Sequence, residues 1–176
     1  MAERSSAAKF SDVIPESGIS GNGITLRAVK PADLDLLAAW FSDAAVYAYW
    51  GGEPLSRDEV IRQFFDGKDD DVAPMVVESG GVALGYIQAW CDSAASGGID
   101  VVLLPHARGR SIGPAAVRLL AHWLRAQLDW TRITVDPLRA NDRAIRAFEA
   151  AGFALERECF ADDGDRHALM AWADGP

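Results

Sequence analysis

The stretch His106–Leu120, HARGRSIGPAAVRLL, decides the fold, because it joins a strand to a helix through a basic, glycine-bearing loop. Just before it, GGIDVVLL (97–104) is a continuous apolar run that predicts a strand buried on both faces. After it, Ile112, Ala116, Leu119, Leu120, Trp123, Leu124 and Leu128 recur at helical spacing and predict a helix over 111–128. From Val101 to Leu128 there are four arginines and no Asp or Glu, although the 176-residue chain carries a net charge of −9. An acid-free segment in an acidic chain calls for an anionic ligand. First-turn N–H groups of a helix lack internal acceptors and point outward along the positive end of its dipole. Glycines allow close backbone approach, Pro114 is tolerated in the first turn, and arginines add charge-assisted bonds. That chemistry suits a diphosphate. The loop is not a Walker loop, since no Gly-Lys-Ser/Thr follows, nor a G-x-G-x-x-G fingerprint. A loop that merely turns and dissolves is the competing reading of the same residues.

Outward from this unit the pattern stays mixed. Residues 1–22 are rich in Ser, Gly and Ala and read as a flexible N-terminal arm, with a short packed segment around Phe10 to Ile14; residues 23–176 read as one domain. GITLR (23–27) alternates like a strand, and Lys30-Pro31 starts a helix through Leu34, Leu37, Ala38 and Phe41. Ser56 and Glu59 form a capping box for a second helix. APMVVES (73–79) and VALGYIQAWC (82–91), joined by Gly80-Gly81, predict a hairpin. TRITV (131–135) is a strand and 140–151 a helix stopped by Gly152, and FALERECF (153–160) and RHALMAW (166–172) close the chain as a hairpin. The order is that of an α/β domain with a mixed sheet.

Bulk composition narrows the function classes. About half the residues are apolar and a quarter charged, as in a soluble globular protein. No apolar run approaches the ~20 residues of a membrane span, so no membrane partner is expected. The acidic balance argues against nucleic acid and suits a cationic partner. Cys91 and Cys159 show no paired spacing, which points to a cytoplasmic chain without a disulfide framework. His106, His122 and His167 are scattered without ligand spacing, so no metal is assigned.

Among the acids, Asp100 stands out as a carboxylate inside an apolar strand, where it needs a partner. Asp136 before Pro137 is an ordinary turn residue, and Asp162, Asp163 and Asp165 read as a solvated hairpin tip. Trp50 and Trp90 read as core or rim aromatics.

Two motifs together carry a resemblance. Arg108-x-x-Ser111-x-Gly113 resembles the Arg/Gln-x-x-Gly-x-Gly/Ala signature of the GNAT N-acetyltransferase family, and DPLRANDRAIRAFEAAGF (136–153) resembles that family's downstream segment. Within the family, YWGGE (49–53), LGYIQAW (84–90), GID (98–100) and DPLRANDRAIRAF (136–148) are similar to the aminoglycoside 6′-N-acetyltransferases. Siderophore-type lysine N-acyltransferases share parts of this pattern. The resemblance implies the GNAT fold, an α+β arrangement with about seven strands, about four helices and a splayed pair, the family's fourth and fifth strands, that receives acetyl-CoA.

It also implies the site. Backbone groups near Val102, Leu103 and Leu104 would bond the pantetheine arm. The N–H groups of Arg108, Gly109, Arg110, Ser111, Ile112 and Gly113 would bind pyrophosphate, with Asn141 contacting the cofactor from the next helix. Asp100 matches the proposed catalytic carboxylate, and Trp50, Gln88, Asp100, Asp136 and Asp163 match positions that hold the acceptor. Two letters depart from the pattern. Ser111 replaces the first signature Gly, and is expected to sit in the opening turn without positive φ. Phe148 replaces the Tyr that commonly protonates the departing thiolate, so activity is expected to survive at a reduced level unless Ser111, Tyr47 or water substitutes. Coenzyme A's thiol, comparable to the ~8.5 of cysteine, leaves tolerably without help.

The expected reaction is therefore acetyl-CoA-dependent N-acetylation of a small polycationic amine, by direct attack and without a covalent enzyme intermediate. An ordinary Asp at ~3.9 facing an amine near ~8–9 leaves proton transfer roughly 6–7 kcal/mol uphill, unless desolvation raises Asp100 or water takes the proton. Acylation of hydroxylysine siderophore precursors or of protein N-termini, and non-catalytic acyl-CoA binding, are the rival readings. Either a monomer or a homodimer is compatible with them.

Overall fold

The computed structural model describes residues 9–47, 50, 53–66, 69–160 and 164–173. Its framework is an eight-stranded sheet in the order β1-β2-β3-β4-β5-β6-β8-β7. The strands are β1 (Ile19–Gly21), β2 (Ile24–Ala28), β3 (Val72–Ser79), β4 (Val82–Ser93), β5 (Ser96–Leu103), β6 (Arg132–Val135), β7 (Phe153–Phe160) and β8 (Arg166–Trp172). The helices are α1 (Leu34–Phe41), α2 (Ala44–Tyr47), α3 (Arg57–Ile61), α4 (Ile112–Leu128) and α5 (Asp142–Ala150). Among the described residues no helix is long and apolar enough to cross a membrane.

Local signals act as their chemistry dictates. Gly80 and Gly81 both adopt positive φ, as a two-residue hairpin turn requires, and connect β3 to β4. The Ser56 hydroxyl accepts from the Glu59 N–H while the Ser56 N–H donates to the Glu59 carboxylate at 2.7 Å, completing the capping box of α3.

The N-terminal boundary differs from the expectation. Residues 15–21, expected to belong to a flexible arm, pack into the domain together with the short segment around Phe10 to Ile14 that was read as packed. Ile19, Ser20 and Gly21 pair antiparallel with Leu26, Thr25 and Ile24 as strand β1, turning through Asn22-Gly23 at positive φ. Phe10 stacks on Trp130 at 5.4 Å, and Ile14 and Ile19 join the core. This strand makes the eighth where about seven were expected, and the family's splayed fourth and fifth strands are β5 and β6 here.

Side-chain alternation gives the sheet two buried faces. One carries Ile87, Ala89 and Ile99 beneath α4 and α5. The other carries Val76, Tyr86 and Val102 beneath α1, α2 and α3. Antiparallel pairing runs through the sheet except at β5–β6, which are parallel. That pair is brief, joining Ser96, Gly97 and Gly98 to Arg132, Ile133 and Thr134. Beyond Gly98 the strands part, and the opening lies at their carboxyl ends.

Candidate active site

A cavity of about 400 Å³ fills this opening. One wall is β5 from Ile99 to Leu103; the others come from α4, the turn after β6, and α5. Hydrogen-bonding directions alternate along a strand. The Leu104 N–H donates to Leu84 O of β4 at 3.0 Å, so Leu104 and, by alternation, Val102 face β4. Val101 and Leu103 then turn their backbone groups toward the opening. This corrects the expectation for Val102 and Leu104: of the three residues expected, only Leu103 faces the opening with its backbone, and Val101 is its companion.

Arg108 does different work from a free phosphate cation. Its Nε donates to Leu103 O and one Nη to Ala45 O, both at 2.8 Å, tying the loop to β5 and α2. Its own N–H donates to Pro105 O at 3.3 Å, so the backbone group expected to bind pyrophosphate is engaged at Arg108. The loop turns at Gly109, at φ +75°, and at Ser111, at φ +58°. Ser111 therefore occupies the left-handed region, contrary to the expectation of an ordinary first-turn conformation. The chain must reverse between β5 and α4, and the signature's Gly stands at this position because that reversal needs positive φ. Ser111 makes no capping bond with its side chain, so the first-turn N–H groups, including those of Ile112 and Gly113, remain available at the mouth of a 17-residue helix. Arg110 is exposed and outside the cavity lining.

Asn141 caps α5, its Oδ1 accepting from the Ala144 N–H at 3.1 Å, and also lines the cavity. Phe148 lines it too, buried and edge-to-face with Phe153 at 6.0 Å. Neither hydroxyl considered as its substitute is present there. Ser111 faces a separate hollow with Arg118 and His122, and Tyr47 lies in the core beneath α1–α3. Among the described residues no side-chain hydroxyl lines the cavity.

At the acceptor end the register of β4 and β5 sets Gln88 opposite Asp100 and Trp90 opposite Gly98. Gln88 Nε2 donates to Asp100 Oδ2 at 2.8 Å, and the Tyr86 hydroxyl donates to Gln88 Oε1 at 2.8 Å. The Trp90 side chain adds a bond to Asp100. Burial pushes the Asp100 carboxyl up to about 6; the Gln88 and Trp90 bonds oppose this, and the nearby Asp136 charge adds to it. Asp136 is also raised by burial, with the His167 charge pulling the other way. Trp50 packs edge-on against Phe41 and Tyr86, each at 5.6 Å, while lining the cavity, so it belongs to both core and site. Asp163 lies outside the described residues.

The structure thus gathers Trp50, Gln88, Asp100, Asp136, Arg108, Gly113, Asn141 and Phe148 on one cavity. It adds two side chains that sequence reasoning missed. His167 of β8 lies within 2.6 Å of Asp136 O through Nδ1, and Arg143 reaches the cavity beside Gly109. Arg143 lies two residues after Asn141 in the quoted motif, a signal that was available; His167 is brought in only by the pairing of β6 with β8.

Comparison with known proteins accords with this geometry. The curated aminoglycoside N(6′)-acetyltransferases type 1 of Klebsiella pneumoniae and Serratia marcescens are each 29% identical over 162 residues, covering 82% of this chain and 81% of theirs. The solved structure of AAC(6′)-Ib with paromomycin and acetyl-CoA superposes with a TM-score of 0.78 at 26% identity, over 87% of this chain and 94% of that one. A Vibrio cholerae spermidine N-acetyltransferase, at 19% identity and a TM-score of 0.76 over 86% of this chain and 95% of that one, shares the fold. The profile of the Acetyltransferase (GNAT) domain matches residues 24–154, spanning the splayed strands, the turn at Ser111 and the cap at Asn141, and the chain belongs to that family of N-acetyltransferases.

Proposed function

We propose that this chain transfers the acetyl group of acetyl-CoA to the 6′-amino group of an aminoglycoside, in the cytoplasm. The observation that carries the reading is the division of charge along one cavity. Helix α4 presents its N-terminus at one end, with Arg143 beside it, and Asp100 and Asp136 face the other. A polyanion and a polycation fit that arrangement in one orientation only. The names of the relatives, and the presence of acetyl-CoA and of aminoglycosides in the solved neighbours, support it.

Bound acetyl-CoA would supply an activated acyl group; the rest falls to this chain. The first-turn N–H groups and Arg143 hold the pyrophosphate, and the backbone of Val101 together with the N–H of Leu103 aligns the arm between the splayed strands, Leu103 O being held by Arg108. A β5 N–H facing the opening would stabilise negative charge developing on the acyl oxygen. Asp100 and Asp136 bind the acceptor's ammonium groups, and Asp100 takes a proton directly or through water. With Asp100 raised to about 6, the gap to an amine near ~8–9 narrows to roughly 2–3 units, or about 3–4 kcal/mol. Cys91 and Cys159 lie outside the cavity lining, so direct attack by the amine is the route the site serves.

The test is thiol release from acetyl-CoA with kanamycin, tobramycin, amikacin, hydroxylysine and peptides, with the product mapped by NMR. Turnover confined to aminoglycosides with a free 6′-amine, acetylated there, is expected. Turnover on hydroxylysine or peptides alone overturns the acceptor assignment, and acetyl-CoA binding without turnover on any amine overturns the enzymatic one.

A further inference from the structure

Asp100 does not stand alone on β5: it ends a chain of hydrogen bonds that begins in the core. Tyr86 is fully buried, and Phe41, Trp50 and Phe64 surround its ring at 5.3, 5.6 and 5.4 Å. That packing encloses the ring, and its hydroxyl donates along the strand face toward Gln88. Two residues on, Gln88 receives that donor on Oε1 and passes Nε2 to Asp100, each at 2.8 Å.

We propose that Tyr86 is a positioning residue for the acceptor site: its buried hydroxyl fixes the Gln88 amide so that Gln88 presents N–H, and not C=O, to Asp100. Donors and acceptors decide between the two orientations. A Gln amide has two orientations that differ by exchange of oxygen and nitrogen. In the observed one, the ionised carboxylate accepts from Nε2 and the phenol donates to Oε1, so phenol, amide and carboxylate are each paired. In the other, Oε1 would face Asp100 and require it to carry a proton, while Nε2 would donate to the phenol oxygen. Among the described residues the phenol's own hydrogen would then have no acceptor in its aromatic pocket, which is unfavourable. Tyr86 therefore favours the ionised, proton-accepting form of Asp100 from a position that touches no substrate.

The other groups facing Asp100 do not duplicate this. Trp90 of β4 is a donor only. Asp136, beyond β6, is a like charge, with His167 of β8 behind it. Arg108 and Arg143 line the cofactor end, and Trp50 lines the cavity from the helical side.

The assignment of a reaction role to Asp100 rests on the proposed function; the hydrogen-bond lock itself does not, and the experiment keeps them apart. The Asp100 side-chain carboxyl is titrated by 13C NMR in unliganded protein, its resonance identified by D100N. Tyr86→Phe is expected to raise the Asp100 midpoint by roughly half a unit to one unit, the effect of a neutral hydrogen bond gained by the protonated form. In a Gln88→Leu background the same substitution is expected to do nothing further, because no amide remains to be locked. An unchanged midpoint in folded Tyr86→Phe, or an equal shift with and without Gln88, overturns the proposal. Should Tyr86→Phe not fold, 3-fluorotyrosine at position 86 keeps the ring and strengthens the donor. It is expected to lower the midpoint, and no change there overturns the proposal. In turnover assays the acid limb of kcat/KM for the amine moves with the midpoint while the acetyl-CoA KM stays fixed. Failure of every aminoglycoside to react would refute the acceptor reading and leave the midpoint result intact.

Discussion

Asp100 and Ser111 each hold a conformation or charge state that their surroundings impose, and each makes a measurable difference. Asp100 titrates at about 6 in the fold against an ordinary 3.8. The folded state thus keeps a proton that the unfolded chain releases, and stability falls as pH rises from about 4 to about 6, by at most about 3 kcal/mol. Asp100→Asn removes that penalty. It is expected to be more stable than wild type by about 1–3 kcal/mol above pH 6, with the gain fading below pH 4, in denaturant unfolding across pH. The same substitution is expected to lower kcat/KM for the amine by at least about tenfold, with the acid limb near pH 6 abolished. Ser111 at φ +58° bears a left-handed conformation that suits glycine. Ser111→Gly is expected to stabilise by about 1 kcal/mol, a rise of about 2–4 °C in Tm, with an unchanged or lower KM for acetyl-CoA. The presence of this loop was legible from Arg108, Gly113 and the acid-free helix. The φ of its third-last residue was not, because Ser is common at helix N-caps in extended conformation and only the return path from β5 decides otherwise.

The strand pair β4–β5 shows what an element adds to its residues. Gln88, Trp90 and Asp100 were readable as individual letters, but their meeting depends on register, and register depends on the irregular pairing between Cys91 and Ser93 ahead of the turn. No periodicity in the sequence encodes that shift. Gly98 is the element's hidden requirement. A Cβ there would lie 2.3–2.8 Å from three atoms of the Trp90 indole, including Nε1, which packs over Gly98 two residues before Asp100 on the same face. Gly98→Ala is therefore expected to cost about 1–3 kcal/mol in denaturant unfolding, as overpacking does. It is also expected to displace Trp90, raising the KM of the amine more than that of acetyl-CoA, whose contacts lie further along β5. Equal loss for both substrates would mean that the whole strand had shifted. Strand β1 was missed for a different physical reason. Three residues are too few for alternation to register, and the surrounding Ser and Gly are the composition of an arm. The Asn22-Gly23 pair, a strong hairpin signal, was the letter that could have revealed it.

Over the whole molecule, one sheet separates two cores and the split between its central strands β5 and β6 provides the site, so the site's integrity depends on how the far strands brace α4. Gly21 of β1 lies so close to Leu119 of α4 that an added Cβ would sit 2.9 Å from its side chain. Ile14 and Ile19 are buried in the core that α4 also covers, and Phe10 stacks on Trp130, which follows α4. Removing residues 1–22 would strip these contacts and leave β2, with buried Leu26 and Ile24, as an uncovered edge open to intermolecular pairing. The single substitutions Ile14→Ala and Ile19→Ala each delete buried methyl groups and are expected to cost about 2–4 kcal/mol. The truncation is expected to cost at least as much as one of them, since the entropy regained by releasing the segment offsets part of the loss. Equilibrium unfolding in urea, with light scattering to follow association, measures both effects. Because none of the described residues 9–22 lines the cavity, the truncated chain is expected to keep its KM for acetyl-CoA at temperatures where it remains folded. Undiminished stability after truncation would instead mean that the packed segment is an arm in energetic terms, with the domain beginning at residue 23.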